Sequence, residues 1–84
     1  MLYRIFTEDK NQAGIERIVN KYFPGFSIIK STGFWRLQKE NSLIIEVITE
    51  EPAAKIDAIA REIKAENQQE AVLVQIIKNN QYLV

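Results

Sequence analysis

From Ser42 to Thr49 the chain alternates without leaving a polar face: Leu43, Ile45 and Val47 share one side of an extended backbone, and Ile44, Glu46 and Ile48 share the other. That spacing predicts a central strand with apolar side chains on both surfaces of a sheet. Leu2 to Phe6 predicts a first strand, and the polar stretch Thr7 to Asn11 supplies caps for a helix starting near Gln12. Ile15, Ile18, Val19 and Tyr22 then recur at i, i+3, i+4 and i+7, a helical stripe with Glu16, Arg17, Asn20 and Lys21 left for solvent. Phe23-Pro24-Gly25 ends that helix.

Phe26 to Leu37 reads as a long strand interrupted near Ser31-Thr32-Gly33, where glycine suggests a bulge, and Gln38 to Asn41 reads as a polar turn. Thr49-Glu50-Glu51-Pro52 predicts a helix start, with a hydroxyl cap, early acids and proline in the first turn. Ile56, Ile59, Ala60 and Ile63 carry the helical spacing, and Asn67-Gln68-Gln69 closes the helix. Ala71 to Lys78 predicts a last strand, with Val72, Val74 and Ile76 alternating against Leu73, Gln75 and Ile77; Asn79-Asn80 then turns into a short Gln81 to Val84 extension.

The order is βαββαβ. Two amphipathic helices bury their stripes most simply on one face of a four-stranded antiparallel sheet, which is the ferredoxin-like α+β arrangement, and residues 1–84 are expected to form a single such domain. If Leu43, Ile45 and Val47 meet the helices, the opposite face collects Leu2, Phe6, Ile44, Ile48, Leu73 and Ile77. Burying each of these is worth about 1.5–3 kcal/mol, and contiguous exposed patches of that kind mark contacts. The expectation is a homo-oligomer of two or more copies packed through this face. Arg4, Glu46 and Gln75 form a polar row inside the patch, which either sets register between copies or pairs Arg4 with Glu46 on neighbouring strands.

Composition narrows the chemistry. Eleven basic and eleven acidic side chains cancel, so the basic excess of a nucleic-acid-polymer binder is absent. The third strand also lacks the aromatics on which RNA-recognition domains of the same order stack bases. The longest apolar runs, such as Leu43 to Ile45 and Ala71 to Val74, fall far short of the roughly 20 residues that span a bilayer. Met1 to Phe6 has no basic start followed by a long apolar stretch, so a cytoplasmic location without a membrane partner is expected. With no histidine and no cysteine, there is no Ser-His-Asp or Cys-His system and no zinc site of the nitrogen and sulfur kind. Glu8-Asp9 and Glu50-Glu51 are adjacent acids in polar segments, not carboxylates opposed across a cleft. No cofactor or metal is expected. Gly25 to Ser31 lacks the second glycine and the helix start of a phosphate loop.

The most distinctive polar and aromatic group is Lys30-Ser31-Thr32-Gly33-Phe34-Trp35-Arg36. A glycine kink would expose backbone amides, Trp35 offers a stacking face, and Lys30 and Arg36 suit a small anionic ligand; Arg4 is a further candidate between subunits. The competing reading turns Phe34 or Trp35 inward as core and leaves the basic residues solvated.

The series Arg4-Ile5-Phe6, Tyr22-Phe23-Pro24-Gly25-Phe26, Gly33-Phe34-Trp35, Glu40 to Glu46 and Asn67 to Val74 resembles that of short, functionally uncharacterised bacterial and phage-encoded proteins. The resemblance implies a phage or prophage origin and, by association with such genes, a counter-defence role: binding a host protein or sequestering an anionic nucleotide signal. It carries over no functional residue. Three readings follow in order: a non-enzymatic oligomeric binding protein, a stand-alone regulatory module that senses a small molecule, and an enzyme using only carboxylates, Tyr3, Tyr22, Tyr82 and lysines.

Overall fold

A computed structural model describes residues 1–78, apart from the side chain of Trp35. The elements are β1 (Leu2–Glu8), α1 (Gln12–Asn20), β2 (Ser27–Trp35), β3 (Gln38–Ile48), α2 (Ala54–Glu66) and β4 (Leu73–Ile77). The four strands form one antiparallel sheet in the order β2-β3-β1-β4, the small α+β arrangement expected from the βαββαβ pattern. The proposed Gln81 to Val84 extension, with Tyr82, lies outside the described residues. Among those described, no helix is long and apolar enough to cross a membrane.

The core forms where the strand alternation meets the helical stripes. Tyr3 and Ile5 of β1 and Leu43, Ile45 and Val47 of β3 are buried against Ile15, Ile18 and Val19 of α1, Phe23 beyond it, and Ile56, Ile59 and Ile63 of α2. α1 starts at Asn11, whose left-handed backbone lets its side-chain oxygen accept the Gly14 N–H at 3.2 Å. α2 ends in a two-bond reversal: Gln68, at φ 53°, donates its N–H to Ala65, and the Gln69 N–H reaches Lys64 at 3.0 Å.

Three sequence expectations are corrected. Gly33 makes no bulge: β2 pairs continuously with β3 from Ser27↔Glu46 to Trp35↔Gln38, and Gly33 sits in register opposite Glu40. The turn falls at Arg36-Leu37 instead of Gln38–Asn41, and both residues adopt positive φ, 49° and 66°, as a two-residue hairpin turn demands. Gln38–Asn41 looked like a turn because it is polar. It is a strand that pairs beyond the end of β1, where the last β1 pair is Glu8↔Ser42, so no third strand selects apolar side chains there. Finally, Thr49 accepts the Glu51 N–H at 3.0 Å in a local turn, and α2 starts only at Ala54 without a side-chain cap.

Residues 32–41 therefore project from the sheet as a two-stranded arm. Phe34 and Leu37 of the arm are exposed, Phe34 by 74%.

Candidate functional site

The register arranges the uncovered face of the sheet in three rows. Ile48, Leu2 and Ile77 form one, Ser27, Glu46, Arg4 and Gln75 the next, and Ile29, Ile44, Phe6 and Leu73 the third. The six apolar residues named from the sequence share this face, and Ile29 adds a seventh that the expected kink had obscured. Ile48 is 61% and Leu73 64% exposed, whereas Tyr3, Ile5, Leu43, Ile45 and Val47 on the opposite face of the two central strands are buried under the helices. Within the polar row, Arg4 Nε donates to Glu46 Oε2 at 2.7 Å, so the two charges pair across neighbouring strands of one chain.

The basic candidates are not gathered. Lys30 pairs with Leu43 and alternates with Ile29, so it faces the helix side of β2, while Arg4 belongs to the open side. Arg36 lies in the hairpin turn, about 20 Å along the strand from Lys30. With no kink at Gly33, the segment is a regular edge strand, and only alternate backbone amides serve the β2–β3 ladder. Trp35 belongs to β2 by its backbone, and the choice between core and surface falls on the side chain outside the description.

A different place has the shape of a site. Where the arm leaves the sheet, a step beside it encloses an open cleft of about 510 Å³. Its apolar lining is Phe6, Ala71 and Leu73, and its charged lining is Glu8, Asp9, Glu40 and Lys10. Lys10 Nζ lies 3.2 Å from the Glu8 carboxylate. Glu70 stands in the adjoining depression with Glu8 and Lys10. At the back, two buried polar side chains satisfy each other: Thr7 Oγ1 donates to Gln69 Oε1 at 3.0 Å, and Gln69 Nε2 donates to Thr7 Oγ1 at 2.6 Å. An amide oxygen has two lone pairs, so Gln69 Oε1 accepts the Glu8 N–H as well, at 3.2 Å.

The cleft wall is braced from two directions. The Asp9 N–H donates to the Asn41 carbonyl at 3.2 Å, continuing the β1–β3 ladder, and Asn67 Nδ2 donates to the Lys10 carbonyl at 3.2 Å. Sequence reasoning treated Gln69 as part of a polar helix end. The signal that finds it is Thr7, the third member of the inward series Tyr3, Ile5, Thr7: a buried hydroxyl needs a partner, and a flanking amide is well suited to be one.

A second polar cluster bridges the helices. The Lys21 ammonium and the Tyr22 hydroxyl both donate to the Glu62 carboxylate. Those hydrogen bonds hold the Glu62 pKa below the ordinary carboxylate range and raise those of Lys21 and Tyr22. The cluster ties the end of α1 to α2. Among the described residues, no group of three or more acids is placed to hold a metal ion.

No protein-family model matches the chain, and no curated protein matches it. Solved structures do. One is described as a phage SAM lyase in the apo state, with TM-score 0.66 and 22% identity over 87% of this chain and 75% of that one. Another is a DUF3240 family protein from Shewanella baltica, with TM-score 0.68 and 18% identity over 99% of this chain and 94% of that one. The chain is thus similar in fold to a small phage protein and to a member of a family of unknown function.

Proposed function

We propose that the protein is a small-molecule binding factor of the phage counter-defence kind, and that its ligand is SAM, held in the cleft beside the arm. The observation that carries this reading is the cleft lining: Glu8, Asp9 and Glu40 outnumber Lys10, around an apolar floor of Phe6, Ala71 and Leu73. Such a lining suits a cation with an apolar body. SAM carries a sulfonium charge and a flat adenine, and the fold likeness to a phage SAM lyase supports the choice. An anionic nucleotide is disfavoured because Arg4, Lys30 and Arg36 do not converge.

Binding without turnover is the form of this reading that the single chain supports best. Glu8, Asp9, Glu40 and Glu70 are all exposed, so the single chain encloses no carboxylate with a ligand away from water. Calorimetric titration with SAM, alongside its uncharged thioether analogue S-adenosylhomocysteine, tests the reading. SAM should bind more tightly, and Glu40→Gln should weaken SAM by about fivefold, the scale of one exposed charge contact of ~1 kcal/mol, with little effect on the analogue. No binding of either compound sinks the reading. Conversion of SAM during incubation, followed by mass spectrometry, would replace a binding protein with an enzyme.

A further inference from the structure

We propose that the open face of the sheet is covered by the open face of a second copy, related by a rotation axis parallel to the strands, and that each copy's arm then roofs its neighbour's cleft. The argument starts from the three rows. An axis running along the strands between β1 and β3 reverses the strand order and keeps the rows level. It lays β3 of one copy over β1 of the next and β2 over β4. Ile29 then meets the neighbour's Leu73, and Ile44 meets its Phe6. Ile48 meets its Leu2, and the Glu46 carboxylate comes opposite a second Arg4. Apolar rows fall on apolar rows and the polar row on its charge complement.

An axis across the strands also reverses the stacking but sets Arg4 on Arg4 and Glu46 on Glu46, a like-charge arrangement that opposes association. The face is therefore self-complementary in one orientation. Its flat footprint is about 19 by 24 Å, from four strand spacings and seven residues of β1. That is small against the ~800 Å² of accessible surface that each partner of a stable complex buries. The arm supplies the rest. It projects on the β2 and β3 side of the sheet, while the cleft lies on the β1 and β4 side at the same end. Rotation about the strand axis carries one copy's arm onto the other's cleft, so the projection of each fills the step of its partner.

The roof would remove water from Glu8 and Glu40, which the single chain leaves exposed. That part rests on the cleft being the ligand site; the interface does not.

The chain has no cysteine, so a cross-copy disulfide is readable without background. In Ile29→Cys/Leu73→Cys the two thiols lie three strand spacings apart in one copy, about 14 Å, beyond the ~7 Å limit between bridged Cα atoms. Mild oxidation should give a covalent species of two or more chains as the main product, with neither single variant cross-linking. Ser27→Cys/Gln75→Cys repeats the test at exposed polar-row positions that folding tolerates. Native mass spectrometry of the unaltered chain should show two or more subunits. A monomer, with both double variants folded and free of cross-links, overturns the proposal and leaves the face to a different protein. Cross-linking with no SAM binding keeps the assembly and rejects the ligand; SAM binding by a monomer does the reverse.

Discussion

Leu43, Ile45 and Val47 are fully buried, whereas Ile44 and Ile48, set between and beside them on the same strand, are half-buried and exposed. The side chains on the two faces of β3 are nearly alike in chemistry. What separates them is that α1 and α2 cover one face and nothing among the described residues covers the other. Apolar character alone therefore does not tell a stability residue from a contact residue. In this molecule the contrast is sharpest in the middle of the sheet, where Glu46, flanked by Ile45 and Val47 in sequence, pairs with Arg4 on the uncovered side.

The largest expected effect breaks that comparison directly. Ile45→Ala opens a cavity in the sealed core and should destabilise the fold by about 2–5 kcal/mol in urea unfolding. Ile29→Ala, on the open face, should cost less than ~1 kcal/mol at dilution. Equal losses would mean that the two faces are equally sequestered within one chain. Next comes the polar pair behind the cleft. Gln69→Ala strands the Thr7 hydroxyl and the Glu8 N–H and should cost about 1–3 kcal/mol. Thr7→Val in the same background should cost little further, because the donor left without a partner has been removed too; a fully additive loss argues against their coupling. The smallest effect lies in the arm. Leu37→Gly relieves a left-handed residue at the hairpin turn and should raise stability by up to ~1 kcal/mol, read as a higher thermal midpoint.

The low-pH side of stability should report on the helix bridge. Because the folded-state pKa of Glu62 is lowered by hydrogen bonds from Lys21 and Tyr22, its contribution is present above the unfolded carboxylate pKa and is lost as pH falls through the folded one. Glu62→Gln should flatten that acid limb, and an unchanged pH profile would discount the bridge.

Much of the fold was legible because it depends on period. The stripe Ile56, Ile59, Ile63 and the inward series of β3 both ended in the core, since burial of apolar side chains selects helix and strand by spacing alone. Less legible was the hairpin. Its turn residues, Arg36 and Leu37, carry no glycine or asparagine signal, and the long pairing from Ser27 to Trp35 imposed the left-handed conformation on them. That Leu2, Phe6, Ile44, Ile48, Leu73 and Ile77 share a face was readable from alternation, whereas the separation of Lys30 from Arg4 depends on strand register. The cleft was not readable, because it joins β1, the root of the arm and the segment after α2, which are remote in sequence and have no shared period.

The sequence by itself determined that two helical stripes and the inner rows of four strands must be buried together, because period sets which side chains share a face. It also determined that these 84 residues supply no imidazole or thiol, because histidine and cysteine do not occur in them. Only the tertiary structure decided that Arg4 and Glu46 pair, that Lys30 turns away from Arg4, and that Glu8, Asp9 and Glu40 surround one cleft. Those relations depend on strand order and register, and register follows from how β1, β3 and β4 pack as a unit, which no single stretch of the chain contains.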